Sequence, residues 1–456
     1  MIYKEKLFVP VTMKTSLHML HDICRVIPLL LLLSVPLTMR GEGEVIYENI
    51  VYSWYSPGTG YAQTTTSTSL ATAKIRSYVT CSNGDRVKVG WIGPQAFAKC
   101  PYLKSITMPA HITAFYRQAF KNCQRLQSID IPEAITYIGV SVFENCYSLK
   151  SVRLPSGIDR LEDRTFYNCR SLERVEFSPN ITAMGEEVFY GCASLDSVVI
   201  PGKVAELPNR TFMNCAGLTS VSMPAAVRTI QNQAFAGCTS LAEVTLPAYI
   251  ASIGNGIFMW CTNLRRVVFP ENTVRVSIKD AAFDSCVRLE TVVLPRYLLS
   301  IGKWSFRNCR SLREMIVPEG SSKIGSWAFQ NCESLVRVSV PATTQSIGDS
   351  AFCGCTALDT VVCYMDEPFA FGAGAFDRIS GHCVLTVPYG RTQAYRAAGW
   401  TEEVFKGGIR EIGAPAGIST IKVKSKDTRY YDLQGRPVTR PEKGRIYIHD
   451  GRKIVR

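Results

Sequence analysis

Apolar residues return along most of this chain on a period much longer than that of a helix or a strand. The unit is AFxxCxxLxxVxLP, first complete as Ala96-Phe97-Ala98-Lys99-Cys100-Pro101-Tyr102-Leu103-Lys104-Ser105-Ile106-Thr107-Met108-Pro109. Cys100, Cys123, Cys146, Cys169, Cys192, Cys215, Cys238 and Cys261 are 23 residues apart; after one gap of 25, Cys286, Cys309, Cys332 and Cys355 resume the spacing. A Phe stands three residues before each of these cysteines and a Leu three after, as in Phe97/Leu103, Phe235/Leu241 and Phe329/Leu335. The sixth residue after Cys is aliphatic or Met, the eighth is apolar, and the ninth is Pro except at Ser178 and Tyr364. A fixed period of this length marks a repeat architecture in which no unit can bury its apolar face alone. Stacking coil on coil removes those side chains from water together, so stability is a sum of neighbour interfaces. At about 4.8 Å per coil, thirteen coils of 23 residues would extend roughly 60 Å.

Within a coil, LxxVxL reads as a strand whose sixth and eighth residues after Cys point inward and whose fifth and seventh point out. The following Pro cannot donate to a ladder and ends the strand. An apolar residue eight before Cys, often followed by Gly as in Ile138-Gly139 and Ile347-Gly348, marks the return side. AFxxC reads as a short helical turn carrying Phe and Cys into the core. The two extra residues before Cys286 fall between Pro270 and Ile278, where they lengthen an outer connection and leave the strand register intact.

The ends differ from the middle. Residues 1–41 read as a secretory signal peptide, with residues 1–12 upstream of its usual start: Lys14 and Arg25 precede the short apolar run from Val26 to Leu37, too short to span a bilayer. Residues 44–90 read as an N-terminal β cap, with turns expected at Pro57-Gly58 and Asn83-Gly84 between alternating runs. The repeat body is assigned to 91–390, including a degenerate thirteenth coil with Ile379 in place of Cys and His382 in place of Leu. Residues 391–412 form a closing segment with a short helix and an apolar plug at Trp400 and Phe405. Residues 413–420 are a linker, and 421–456 a basic β tail.

Charge and cysteine content refine this picture without changing it. The net charge is +13, but residues 421–456 alone hold eleven basic and four acidic side chains, and the repeats are nearly balanced. A solvated basic tail is expected, not a nucleic-acid partner. Cysteines in register on adjacent coils would be about 4.8 Å apart with parallel Cβ vectors, unlike the convergent geometry of a disulfide. They read as buried thiols acting as small apolar side chains. One disulfide among Cys81, Cys353, Cys363 and Cys383 stays open. Beyond the signal region, His111, His382 and His449 share no metal-binding or triad-like spacing, and Cys353 and Cys355 beside His382 and Cys383 do not form a zinc pattern, since Cys355 belongs to the ladder. No catalytic constellation, metal site or cofactor is expected.

The run IGxxAFxxCxxLxxVxLP resembles the BspA-like leucine-rich repeats of bacterial surface proteins over roughly residues 91–412. That resemblance implies a leucine-rich-repeat solenoid, a curved right-handed superhelix with a parallel β-sheet on its concave side, and secretion or surface display with adhesion to proteins or other bacteria. The ending Tyr430-Tyr431-Asp432-Leu433-Gln434-Gly435-Arg436 followed by Gly444-Arg445-Ile446-Tyr447-Ile448 resembles the C-terminal sorting segments of exported Bacteroidetes proteins. A small structural β-appendage is the other reading. From the residues themselves, the outward strand positions Arg174, Val199, Arg266, Val268, Val293, Glu314, Ile316, Arg337 and Val362 are the candidate binding face, with apolar residues set among charges. The expected partner is a host or bacterial surface protein or glycan met by a monomer with no membrane span. The alternative is a structural or assembly component of the envelope.

Overall fold

In the computed structural model the described residues are 43–55, 58–270, 274–412, 430–431, 437–439, 446–449 and 452–455. The expected signal segment and linker lie outside them. The chain divides into two compact units between Arg410 and Glu411.

The larger unit is a parallel β-solenoid of about fourteen turns. Its LxxVxL strands begin one turn earlier than the repeat pattern: Thr72–Lys74 pairs in parallel with Ser105–Thr107, ahead of the first full unit. Strands one coil apart then pair in short parallel ladders, for example Ser151–Arg153 with Arg174–Glu176 and Arg337–Val340 with Thr360–Cys363, and the ladder breaks after Arg174–Glu176, Ser220–Ser222 and Thr291–Val293. Alternation holds as expected: Ile106, six after Cys100, is buried, while Ser105 and Thr107 on either side are exposed. Most of the Pro residues that follow a strand open a turn, the carbonyl accepting from the amide three residues on, as Pro109 does from Ile112 and Pro341 from Thr344.

The return side is a second parallel sheet of two- to four-residue strands. Ala114–Phe115 pairs with Tyr137–Ile138, and Glu206–Leu207 with Thr229–Ile230. The two-residue insertion leaves the LxxVxL register unbroken, since Val267 faces Val292 across the ladder. The second sheet absorbs it, with a register shift between Val276 and Ile278.

AFxxC is not helical. It is a run of turns in which Gln118, Phe120 and Asn122 donate to carbonyls of the next coil, so this edge is also laddered. In every coil after the first, two residues explain why a helix cannot form: the one two before Phe and the one before Cys have positive φ, as at Gln118 (57°) and Asn122 (63°). That region is costly for most L-residues and least so for Gly and Asn. The residue before Cys is Asn or Gly in nine of the twelve units, a signal present in the sequence that the apolar pattern alone does not reveal. Where it is Asn, the amides also ladder, Asn145 Nδ2 donating to Asn122 Oδ1 at 2.8 Å. Where it is Gly191, a Cβ would press into the Asn168 carboxamide.

The core is a set of columns. Phe97, Phe235 and Phe329, with Cys100, Cys238, Cys332, Leu103, Leu241 and Leu335, are wholly buried. The Phe rings stack without a break from Phe97 to Phe376, centroids 5.0–5.7 Å apart and planes within 16°. Each such contact adds about 0.5–1.5 kcal/mol beyond area burial. The thiols do more than fill space. Cys123 Sγ donates to the Phe97 carbonyl at 3.2 Å, and the same bond recurs at every later rung to Cys355. Burial pushes the thiols of Cys215 and Cys261 up to about 12, which keeps the donor protonated. All sixteen cysteines from Cys81 to Cys383 are free, Cys81, Cys353, Cys363 and Cys383 included.

The ends are closed. At the N-terminal end, strands Gly43–Tyr47, Ile50–Tyr55 and Thr59–Thr65 extend the second sheet beyond Arg86–Ile92. The Asn83-Gly84 hairpin forms as expected between Tyr78–Thr80 and Arg86–Ile92. A further hairpin turns on Glu48 and Asn49, both with positive φ, the backbone a two-residue type I′ turn requires. At the C-terminal end, His382 does not take the Leu position: it is exposed, and Cys383 is buried one residue later. An imidazole in that apolar slot would lose its water without gaining a partner, so the chain advances by one residue. Helix Thr392–Ala397 then brings in Tyr395, whose hydroxyl donates to the Met365 carbonyl, and Trp400, whose indole N–H donates to the Phe369 carbonyl. The aromatic plug Phe371, Phe376, Trp400 and Phe405 finishes the Phe column.

In the smaller unit, Tyr430–Tyr431, Pro437–Val438, Ile446–His449 and Arg452–Val455 form an antiparallel four-stranded sheet.

Candidate partner-binding surface

The strands set the outward face by simple alternation, so residues five and seven after Cys form two columns one coil apart. Six of the nine candidate residues come together on four consecutive coils. Val268 faces Val293 across the ladder, Ile316 follows in the next coil, and Arg266, Glu314 and Arg337 line the neighbouring column. Ile316 and Val293 are 62% and 41% exposed, while Val268 is half-buried. The Arg337 guanidinium is 3.7 Å from the Glu314 carboxylate, both about half exposed, so this pair contributes little to stability and keeps its charges available. Val336, 46% exposed, adds a further apolar side chain that the column pattern did not single out.

Arg174 and Val199 do not belong to this patch. Arg174 pairs with Ser151 in the coil before, and Val199, 70% exposed, has Ser222 as its ladder neighbour. Val362 is a correction: the alternation places it outward, yet it is only 5% exposed. It lies between Ser339 and Thr386 in the last strands of the sheet, where helix Thr392–Ala397 packs against Val384–Pro388 and the chain folds back on itself.

The turn edge carries chemistry that the strand columns do not. Glu187, largely buried, sits between Arg164 Nε at 2.6 Å and Arg210 Nη1 at 3.1 Å. Asp284, buried, takes both Arg307 Nε and Nη2. Tyr167 stacks on Tyr190 and Trp304 on Trp327. These side chains occupy the positive-φ column two before Phe and the column one after it, and repeat-position alignment of those columns is the signal that would have found them. Among the described residues no group of His, Cys, Asp and Glu is arranged to hold a metal ion, and no helix is long and apolar enough to cross a membrane.

The model of the BspA type leucine-rich repeat region matches residues 91–218, 205–277 and 276–380. Among solved structures, a leucine-rich repeat protein from Bacteroides ovatus is 22% identical, with 70% of this chain and 94% of that one covered at a TM-score of 0.55. The pneumococcal vaccine antigen PcpA is 16% identical, with 81% and 98% covered and a TM-score of 0.52. A leucine rich cell surface protein from Faecalibacterium prausnitzii is 22% identical, with 72% and 96% covered and a TM-score of 0.44. No curated protein matches the chain. At these identities the structural likeness is one of fold, whereas the repeat model spans more than half of the sequence. The chain belongs to the BspA-type leucine-rich-repeat family.

Proposed function

We propose that this is an exported, adhesin-like surface protein that binds a partner on the strand face of its solenoid and catalyses nothing. The observation that carries the reading is the exposed stripe Val268, Val293 and Ile316, bordered by Arg266, Glu314 and Arg337. An apolar stripe rimmed by separable charges has the anatomy of a protein interface. It contains no aromatic ring on which a sugar would stack, so a protein surface is the better fit there than a glycan. Export rests on the apolar run before residue 38 and on what the family resemblance implies.

Binding of the purified chain to immobilised matrix proteins and bacterial surface glycans tests the site, with Val268→Asp/Val293→Asp/Ile316→Asp as the variant. Loss of binding in the variant, with its melting temperature held, supports the strand face. Absence of any binding, together with inaccessibility to protease on intact cells, would instead favour a structural role within the envelope.

A further inference from the structure

Four of the six tryptophans fall within residues 91–390, and none of them is in the core. Trp260, Trp304 and Trp327 all occupy the turn edge with positive φ, at 63°, 55° and 57°. A left-handed backbone costs an L-residue about 1–2 kcal/mol, and Gly or Asn meets the need with least cost at equivalent places. Strain of this kind, spent on large side chains left 47% and 37% exposed at Trp260 and Trp304, points to a use outside the fold.

Trp304 and Trp327 stack at 5.6 Å with planes 21° apart. The Arg307 guanidinium lies over the Trp304 ring, 5.7 Å from its centre, and is tied to Asp284 of the preceding coil. The face of Trp327 towards the following coils meets no ring. The next residues in its column are Ser350 and Gly374, at φ 51° and 63°, so the stack gives way to a notch. Its floor is polar: a point one Cβ above Gly374 lies 2.8 Å from Asp377 Oδ2 and 3.6 Å from Ser350 Oγ. Beside it, Arg378 reaches back to Cys353 Sγ at 3.4 Å.

An indole face at one end, with a hydroxyl and a carboxylate at the floor, matches a pyranose ring, which offers C–H bonds to the aromatic face and hydroxyls to the acceptors. The Arg378 guanidinium beside the floor disfavours a cationic guest, and an apolar aromatic guest would leave the carboxylate without a partner. We propose that Trp327, Ser350, Gly374 and Asp377 form a binding site for one sugar ring of a glycan, separate from the strand face.

The test is calorimetry and tryptophan fluorescence on the full chain with oligosaccharides ending in glucose, galactose, mannose or N-acetylglucosamine, and with Phe-rich and Lys-rich peptides as alternatives. Trp327→Asn suits the left-handed backbone and should remain folded, while Ser350→Trp should extend the stack and fill the notch. At least one saccharide should bind, and each variant should weaken it by about tenfold or more. The strand-face triple variant should bind that saccharide normally. The proposal is overturned if no saccharide binds, if binding survives both substitutions, or if only a peptide binds and Trp327→Asn abolishes it.

Discussion

At the scale of single residues, a column position decides what a side chain is worth. Phe235 is wholly buried and stacks on Phe212 and Phe258. Phe235→Ala should lower unfolding stability by about 3–5 kcal/mol in denaturant titration, and a neutral result would contradict the stacked core. Asn168 presents a different balance, with φ of 57° and its amide laddered to Asn145. Asn168→Ala should cost about 1–2 kcal/mol and Asn168→Gly clearly less, because glycine restores the backbone freedom even though the amide is gone. Equal losses would mean that the amide ladder, not the left-handed backbone, selects Asn before Cys.

At the scale of elements, the strands were legible because alternation with period two and a terminating Pro leave few readings. Phe, Cys and Leu were legible as core for the same reason: Phe97, Cys100 and Leu103 repeat without drift. The turn edge was not, because its conformation is encoded by residues of no shared polarity. Gln118, Arg164, Ala281 and Trp304 have only a positive φ in common. Val362 was misread because alternation records which way a strand points, and not what later chain packs over it. The hydrogen-bonding role of the thiols was likewise invisible, since an apolar pattern treats Cys as a small hydrophobe. That role has a pH signature. Unfolded thiols ionise near pH 8.5, whereas those of Cys215 and Cys261 are held up to about 12. The native state therefore keeps protons that the unfolded state releases, so the ladder's contribution is full below about pH 8.5 and falls as pH rises towards 12. In melting experiments the stability gap between the natural chain and Cys215→Ala/Cys261→Ala should narrow across that window; a constant gap would show that these thiols titrate normally.

At the scale of the whole solenoid, identical registers make coils removable. Ala216 to Cys238 is one period, flanked by coils whose Phe, Cys and Leu columns are in phase. Deleting residues 216–238 should leave a cooperative fold with a smaller denaturant m-value, because stability is a sum over neighbour interfaces. Removing the plug is a different matter. Truncation before Thr392 deletes Tyr395, Trp400 and Phe405 and bares the last strand and the end of the Phe column. Light scattering should then show self-association, the expected fate of an open strand edge beside apolar surface; a monodisperse product would mean that the coils close without their cap.

The hydrogen-bonded thiols have one more consequence. Each is sealed from solvent by its own pair of coils, so an alkylating reagent can reach a given sulfur only while those coils part. The rungs from Cys123 to Cys355 thus amount to a set of internal clocks, evenly placed along the body, and the order in which they are modified would record where this protein comes apart first.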